Sequence, residues 1–333
     1  MAEPLESPFT IDKLLGLGDP RYTALEVSEK AGLDIEQTRR LWRAMGFVLI
    51  PDDEVFFTDA DLAILQSLTR FMDAGYTDID LVLGVTRVMG LSVARIAESE
   101  AEAIRNRLAT SPELLDHVIS RTEEQLNEEV IQPLEEFLVY VWKRQLVSAL
   151  QRAQVFQPQE SEVTMAIGFV DIVGFTRLSR ELNENDLARL VEEFESSAQD
   201  AATEIGTRIV KTIGDEVMFV ADTPRAAAEM VLRLTDAYSD PDREPRVRAG
   251  VAYGEVAAHH GDYFGPTVNL ASRAASVALP GTALVAESVG EALADDETYL
   301  LKPVPRRRLK GIGSPQLYVL RRKTPLLTER EER

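Results

Sequence analysis

Apolar and polar positions change their spacing near the middle of the chain. In residues 1–150, apolar side chains recur every three or four positions, which predicts helices almost throughout. The segment 58–75 ends at a glycine, as helices commonly do. The segment 111–130 begins Ser-Pro, which predicts one helix capped by Ser111. A further apolar stripe consists of Leu134, Phe137, Leu138 and Val141.

The second half has patterns typical of strands alternating with helices. "VTMAIGFV" predicts a buried strand, and 187–206 predicts an amphipathic helix closed by glycine. The stretch 207–221 predicts two strands around an Ile-Gly-Asp turn. The order βαββαβ with additions predicts an α+β sandwich, one sheet with covering helices. The remaining predicted elements are a helix over 223–238, a strand over 246–254, a helix over 267–276 and strands over 282–286 and 316–321.

A polar stretch with one proline, 151–162, separates the two patterns and is typical of a linker. We therefore expect an all-helical domain over 1–150 and an α+β domain over 163–322. The 333-residue length suits about two domains.

Charge and composition narrow the classes of partner. The formal net charge of −20 argues against attraction to nucleic acid or to an anionic membrane surface. The chain has no cysteine, which excludes disulfides and thiolate metal sites and fits a reducing cytoplasm. Its longest apolar helix candidate, 135–144, is far below the roughly 20 residues that a membrane span needs. The N-terminus shows no secretion signal, so we expect a soluble, cytoplasmic protein.

Two aspartates stand in apolar surroundings 44 residues apart. Asp171 ends the strand "AIGFVDI", and Asp215 lies in the turn of "KTIGDEVMF". In a βαββ arrangement both carboxylates can reach one point, where they would repel unless cations lay between them. Oxygen ligands with open positions suit Mg²⁺ or Mn²⁺ bound together with substrate phosphates. Each aspartate taken alone is also typical of a turn or a helix cap.

Other polar groups suit the phosphates of a nucleotide. The backbone N–H groups of "IVGFT", which includes Phe175 and Thr176, begin a predicted helix and suit an anion. Asn269 and Arg273 are four residues apart on a predicted helix, and together suit a phosphate that gains negative charge. The alternative for the last two is an ordinary solvent-facing pair.

Three segments in this order, "FVDIVGFT", "VKTIGDEVMF" and "GDYFGPTVNLASR", resemble the class III nucleotidyl cyclases over roughly residues 160–322. The resemblance implies a ferredoxin-like catalytic domain that uses two divalent cations, Mg²⁺ or Mn²⁺. Asp171 and Asp215 match the metal-binding aspartates of that family, with the Ile172 carbonyl as an extra ligand. Asn269 and Arg273 match residues that stabilise the transition state. Lys310 matches a residue that contacts the terminal phosphates.

The resemblance also assigns a substrate. Lys211 and Asp262 match the pair that reads the purine in this family. Asp262 can accept from the exocyclic amine of adenine and Lys211 can donate to its ring nitrogen, whereas guanine presents the reverse pattern. We therefore expect an adenylyl cyclase that forms 3′,5′-cyclic AMP and pyrophosphate from ATP. A guanylyl cyclase is the alternative within enzymes.

In this family one subunit supplies the metal aspartates and the other the purine-reading and Asn/Arg residues, which implies a homodimer with shared active sites. The first half resembles the regulatory domain of actinobacterial cyclases, which restrains catalysis and can respond to acid. It holds one histidine, His117, so a pH switch would depend on that residue or on carboxylates. The effector stays open between pH, a lipid and another small molecule.

The segment 22–47 has the pattern of a helix-turn-helix with Arg39, Arg40 and Arg43 on its second helix. A DNA-binding or scaffold protein that responds to nucleotide is therefore a second hypothesis, of a different class. Residues 1–100 hold 18 acidic against 9 basic side chains, whereas a DNA-binding domain should be basic. We therefore expect no nucleic-acid partner.

Overall fold

The structure is a computed structural model that describes residues 11–153, 163–240 and 245–323. The chain forms two compact units, residues 1–158 and 159–333. Of the predicted linker, 151–162, the first three residues belong to the last helix of the first unit, and the others lie outside the described residues. No helix in the described part of the chain combines the length and apolar character needed to cross a bilayer.

The N-terminal unit is helical, as predicted. One core forms where α2, α3, α4 and the first turns of α5 meet, around Val27, Leu41, Leu65 and Leu83. The helices are α1 (Ile11–Leu14), α2 (Ala24–Ala31), α3 (Ile35–Met45), α4 (Asp59–Asp73), α5 (Ile79–Thr110), α6 (Pro112–Ile119), α7 (Glu123–Leu126), a π-helical segment (Asn127–Ile131) and α8 (Gln132–Ala153).

The prediction of one helix over 111–130 is wrong. The chain leaves α6 at Ser120, and Thr122 starts a new helix. The Thr122 side chain accepts from the Gln125 N–H, while the Gln125 side chain accepts from the Thr122 N–H. In a continuous helix these two N–H groups would donate to main-chain carbonyls. Here side chains accept from them instead, which stabilises a new helix start at Thr122. Ser111 precedes Pro112 as expected, but its side chain makes no capping hydrogen bond.

The helix-turn-helix pattern is real, but its arginines are engaged within the unit. Gly32, with φ +74°, ends α2, and Asp34 caps α3. Arg39 lies 2.5 Å from Asp52, Arg40 lies 3.1 Å from Asp80, and Arg43 lies 2.9 Å from Glu36. These ion pairs neutralise the positive charge that contacts to nucleic-acid phosphates would need.

The C-terminal unit is built on one mixed sheet, so the predicted α+β class is confirmed. Its strand order is β2-β3-β1-β4-β6-β8-β7, with β5 paired to the end of β4. The strands are β1 (Val163–Ile172), β2 (Arg208–Ile213), β3 (Glu216–Ala221), β4 (Val247–His259), β5 (Asp262–Phe264), β6 (Ala283–Ala286), β7 (Tyr299–Pro303) and β8 (Leu317–Arg322). The helices are α9 (Phe175–Glu181), α10 (Glu184–Ile205), α11 (Pro224–Ala237), α12 (Pro266–Val277) and α13 (Glu287–Ala292).

Both faces of this sheet are covered by apolar packing. The buried side chains of α10 and α11, such as Phe194 and Met230, pack on one face. Ala271, Ala274 and Ala275 of α12 pack on the other face. A Cβ atom on Gly250 of β4 would lie only 2.1 Å from the Ala275 backbone nitrogen. A glycine at this position therefore allows α12 to rest directly on the strand.

Candidate active site

Asp171 is the last residue but one of the buried strand β1, and its carboxylate is paired with an arginine. Only 8 % of the residue is exposed. In the sheet it lies opposite Glu216 on β3 and Arg248 on β4. Arg248 Nε donates to Asp171 Oδ2 at 2.6 Å, and Arg248 Nη2 lies 2.5 Å from the same oxygen. This ion pair compensates for the cost of burying the Asp171 charge.

Asp215 and Glu216 bring two more carboxylic acids to this end of the sheet. Asp215 lies in the β2–β3 turn, and its carbonyl accepts from the Ile172 N–H at 3.0 Å. Burial raises the pKa of Asp215, and the neighbouring Asp171 carboxylate raises it further. Burial and the same neighbours raise the pKa of Glu216 to about 7. Negative charge therefore accumulates at this point, with Arg248 as the compensating cation.

These groups fit a divalent cation in part. Asp171 and Asp215 offer carboxylate oxygens beside the main-chain carbonyl of Ile172, the donor type that Mg²⁺ and Mn²⁺ prefer. Among the described residues no group of three or more His, Cys, Asp or Glu side chains is arranged to hold a metal. The two aspartates would therefore supply only some of the ligands, which leaves positions for phosphate oxygens or water.

Phe175 and Thr176 begin the short helix α9 directly after this strand end. Gly174, with φ +73°, forms the N-cap and turns the chain from β1 into the helix. The Phe175 ring packs against the buried cluster, whereas Thr176 is exposed. The first-turn amides of a helix have no acceptors within that helix, so those of Phe175 and Thr176 can bind an anion. They follow Asp171 by only four and five residues in the chain.

Lys211 and Asp262 form an ion pair between β2 and β5. Both side chains are half-buried. A second contact joins the β4–β5 hairpin to β2, since Arg208 Nη2 donates to the Tyr263 hydroxyl at 3.1 Å. Asp262 is oriented further by the Tyr263 N–H, which donates to Asp262 Oδ1 at 2.8 Å. The structure thus brings together two residues that are 51 positions apart in sequence.

Asn269 and Arg273 lie on the exposed face of α12, opposite its buried alanines. Within the described part of the chain neither side chain has a hydrogen-bond partner. A cleft of about 390 Å³ is lined by Asn269 together with Tyr253, Pro266 and Ile312. Lys310 is exposed on the loop that borders this cleft, between Leu309 and Gly311. The exposed polar face of α12 is therefore open to a ligand.

The sequence pattern did not identify Arg248 or Glu216. Arg248 stands in "RVRAGVAYG", where apolar alternation predicts a strand but not the strand beside it. Its contact with Asp171 follows only from the β1–β4 register. Glu216 directly follows Asp215, so an acid next to the predicted metal ligand was the available signal.

Two family models match this chain. One, described as the adenylate and guanylate cyclase catalytic domain, matches residues 156–322. The other, described as the adenylate cyclase regulatory domain, matches residues 5–150.

Several curated proteins are similar over most of their length. An adenylate cyclase of Streptomyces griseus is 39 % identical over 289 residues, covering 85 % of this chain and 71 % of that protein. An adenylate cyclase of Glutamicibacter nicotianae is 33 % identical over 327 residues, covering 93 % and 81 %. A protein of Mycobacterium tuberculosis named pH-sensitive adenylate cyclase is 33 % identical over 321 residues, covering 93 % and 80 %.

Proposed function

Because this chain belongs to the adenylate and guanylate cyclase family and is an adenylate cyclase, we propose how its residues convert ATP to 3′,5′-cyclic AMP. The reaction forms a bond between the ribose 3′ oxygen and the α-phosphorus and releases pyrophosphate. The observation that carries the proposal is the meeting of Asp171 and Asp215 at the ends of separate strands. The two carboxylates come from different elements, the end of β1 and the β2–β3 turn, and meet as a metal–phosphate site requires.

Asp171, Asp215 and the Ile172 carbonyl would hold two divalent cations, Mg²⁺ or Mn²⁺. When bound, such cations lower the pKa of the 3′-hydroxyl and neutralise charge on the triphosphate. Arg248 holds the Asp171 side chain in position from β4. The amides of Phe175 and Thr176 would then face the phosphates at the start of α9.

Arg273 and Asn269 act on the reacting phosphate from α12. The Arg273 guanidinium donates to the oxygens of the α-phosphoryl group as negative charge develops there, and Asn269 positions the ribose. Lys310 contacts the terminal phosphates. The exposure of all three side chains supports these roles, because a ligand can reach them without displacing the core.

The Lys211–Asp262 pair favours ATP over GTP. Asp262 accepts from the exocyclic amine of adenine, and Lys211 donates to its N1. Guanine would place an acceptor opposite Asp262 and a donor opposite Lys211, which leaves half-buried charges unpaired. GTP is the alternative substrate to assay, because the catalytic family includes guanylate cyclases.

We propose that two copies of the chain share each active site. No hydrogen bond or ion pair within the described residues joins Lys211 and Asp262 to the carboxylates at the β1 end of the sheet. Asn269 and Arg273 likewise face outward from their own sheet. Ile213 and Phe264, which border these groups, are exposed apolar side chains, as expected of a surface that a second copy covers.

We further propose that the N-terminal unit regulates catalysis in cis, since residues 5–150 match an adenylate cyclase regulatory domain. His117 is exposed in this unit, and its Nε2 accepts from Arg121 Nε at 3.3 Å. The relative named as pH-sensitive keeps acid among the candidate effectors. ATP as substrate supports a cytoplasmic location.

Initial rates with ATP and GTP, in Mg²⁺ and in Mn²⁺, test the proposed function on the full chain. We expect cyclic AMP as the main product and at least a ~100-fold loss in Asp215→Asn, because a lost ligand weakens transition-state stabilisation. Asp222→Asn, an exposed carboxylate after β3, is the matched control and should keep the parent rate. Parent activity in Asp215→Asn, or a preference for GTP, would overturn the assignment.

A further inference from the structure

The β4–β5 hairpin brings Asp262 to a strand that is not its neighbour in the sheet. Strand β5 has three residues and pairs with β4. The sheet order places β3 and β1 between β4 and β2, so within the described residues no backbone ladder joins β5 to β2. Asp262 on β5 and Lys211 on β2 nevertheless form an ion pair. Side-chain contacts therefore set the distance between the hairpin and β2.

The turn of this hairpin fixes where Asp262 lies along β4. His260 has φ +52° and Gly261 has φ +80°, the two positive values that a type I′ turn requires. The turn places Asp262 opposite His259, as the first residue of β5. The distance from Asp262 to Lys211 is not fixed by this turn and depends on contacts with β2.

A β-bulge in β2 places two basic residues on the same face of the sheet. The register with β3 shifts between Ile209 and Lys211, which leaves Val210 as an extra residue. Ile209 packs against the core beneath α10, whereas Val210 packs against the core beneath α12. In a regular strand Arg208 and Lys211, three positions apart, would lie on opposite faces. With the bulge, both contact the β4–β5 hairpin.

Arg208 contacts the hairpin next to the Lys211–Asp262 pair. Its Nη2 donates to the Tyr263 hydroxyl at 3.1 Å, and its guanidinium carbon lies 6.0 Å from the centre of the Tyr263 ring. The ring packs against the apolar core beneath α12, so the position of the hydroxyl is defined. Because Tyr263 directly follows Asp262, this contact holds β5 at a fixed distance from β2.

Purine reading depends on that distance. Adenine presents its N1 and its exocyclic amine side by side, so Lys211 and Asp262 have to bond neighbouring atoms of one base. The Tyr263 N–H donates to Asp262 Oδ1 at 2.8 Å, and Oδ2 faces Lys211. A displacement of Tyr263 would therefore carry Asp262 with it and change the spacing of the two reading groups.

We propose that Arg208 and Tyr263 are a positioning pair that sets the spacing of Lys211 and Asp262 and thereby the preference for adenine over guanine. This inference rests on the proposed function and adds two residues to it. Both act through the reading groups and not on the base itself. Loss of their contact should alter the choice of base more than the binding of nucleotides in general, because the phosphates are bound by other residues.

Nucleotides that cannot react test the proposal separately from catalysis. 3′-Deoxy-ATP and 3′-deoxy-GTP lack the hydroxyl that attacks the α-phosphorus, so calorimetric titration of the full chain in Mg²⁺ measures affinity alone. Tyr263→Phe removes the hydroxyl and keeps the ring and the main-chain N–H. We expect the preference for 3′-deoxy-ATP to fall about 3- to 10-fold, as the loss of one hydrogen bond predicts.

Tyr318→Phe on β8 is the matched control, because it removes the hydroxyl of another half-buried tyrosine in the same sheet. It should keep the preference of the parent chain. A double-mutant cycle adds Arg208→Met, which removes the donor. If the two residues act through their contact, Tyr263→Phe should change the preference no further in the Arg208→Met background. Thermal unfolding of each variant separates a loss of folding from a loss of selectivity.

Two results would overturn this proposal and leave the proposed function intact. One is a parent preference that Tyr263→Phe leaves unchanged, including an equal loss of affinity for both nucleotides, which a purely structural contact would give. The other is independent, multiplying effects of Tyr263→Phe and Arg208→Met. A parent chain that binds both nucleotides equally would instead overturn purine reading by Lys211 and Asp262, and the positioning pair with it.

Discussion

The two compact units bury their apolar side chains to very different extents. The C-terminal unit covers both faces of its sheet, and strand β1 is buried from Met165 to Ile172. The N-terminal unit has one core around α2, α3 and α4, whereas Phe137 and Trp142 of α8 stay exposed. The catalytic unit therefore has a rigid scaffold of its own, and the helical unit presents surfaces that suit further contacts.

The arginines of α3 and the polar pair on α12 differ in their partners. In the N-terminal unit the arginines of α3 are paired with carboxylates within the same unit. In the C-terminal unit Asn269 and Arg273 are exposed and make no ion pair in the described part of the chain. Unpaired polar groups on a rigid element are typical of a binding site, because the scaffold holds them in place before the ligand arrives.

The largest effect should come from the exposed arginine of the catalytic unit. Arg273→Ala removes a donor to the charge that develops on the α-phosphoryl group. We expect kcat for cyclic AMP formation to fall about 100- to 1,000-fold, with a smaller change in KM. Thermal unfolding should be unchanged, because Arg273 is exposed.

Arg321→Ala on β8 is the matched control, since it removes an exposed arginine that has no role in the proposed site. Equal losses in both variants would indicate a general charge effect, and parent activity in Arg273→Ala would exclude its proposed role.

A change in the Lys211–Asp262 ion pair should lower the rate less but should alter the choice between ATP and GTP. Asp262→Asn removes the charged acceptor for the adenine amine. The loss of one hydrogen bond to a charged group should lower the ATP-to-GTP ratio of kcat/KM about 10- to 100-fold. Asp295→Asn, an exposed aspartate of the same unit, should leave the ratio unchanged. An unaltered ratio in Asp262→Asn would contradict purine reading by this residue.

Each unit has a glycine where two backbone segments lie in close contact, so the same change to alanine can be made in both units. A Cβ on Gly250 would lie 2.4 Å from the Ala271 carbonyl oxygen, and one on Gly90 of α5 would lie 2.5 Å from the Met45 carbonyl oxygen. Either change to alanine should cost about 1–3 kcal/mol of stability through overpacking. Gly250→Ala should also lower cyclase activity, because it displaces the helix that carries Arg273.

Gly90→Ala should lower the unfolding temperature while its folded fraction keeps the parent preference for ATP over GTP. Calorimetry and initial rates at low temperature separate the two effects. Full activity in folded Gly250→Ala would show that the position of α12 does not limit catalysis.

Much of the C-terminal unit follows from local sequence, whereas the site does not. Alternating apolar residues and glycine-ended helices predicted β1, α10 and the β2–β3 hairpin at nearly their observed bounds. Strand β7 was not predicted, since "YLLKP" does not alternate apolar with polar residues and contains a proline. The contacts of Asp171 with Arg248 and of Lys211 with Asp262 depend on strand register and hairpin folding, which join residues 77 and 51 positions apart.

The smallest expected effect is on the pH dependence of the free energy of unfolding, through Glu216 beside Asp171 and Asp215. The pKa of Glu216 rises from 4.5 to about 7 on folding. Between these values the folded protein binds more protons than the unfolded one, so its free energy of unfolding should fall as pH rises. In chelator-treated protein, Glu216→Gln should make this decline shallower between pH 5 and 7.

Urea unfolding at pH 5, 6, 7 and 8 measures that slope. Glu297→Gln, an exposed acid far along the chain, provides the reference. An equal slope in Glu216→Gln and the parent protein would contradict the raised pKa.

Complementation between two inactive variants tests most directly the central claim, that carboxylates of one copy act with the arginine of another. Asp171→Ala and Arg273→Ala are each assayed alone and then mixed after heterodimers have formed. Random pairing of symmetric dimers should restore about a quarter of parent activity, because half of the dimers carry one intact site. The account predicts that recovery; heterodimers that form but remain as inactive as the separate variants would contradict it.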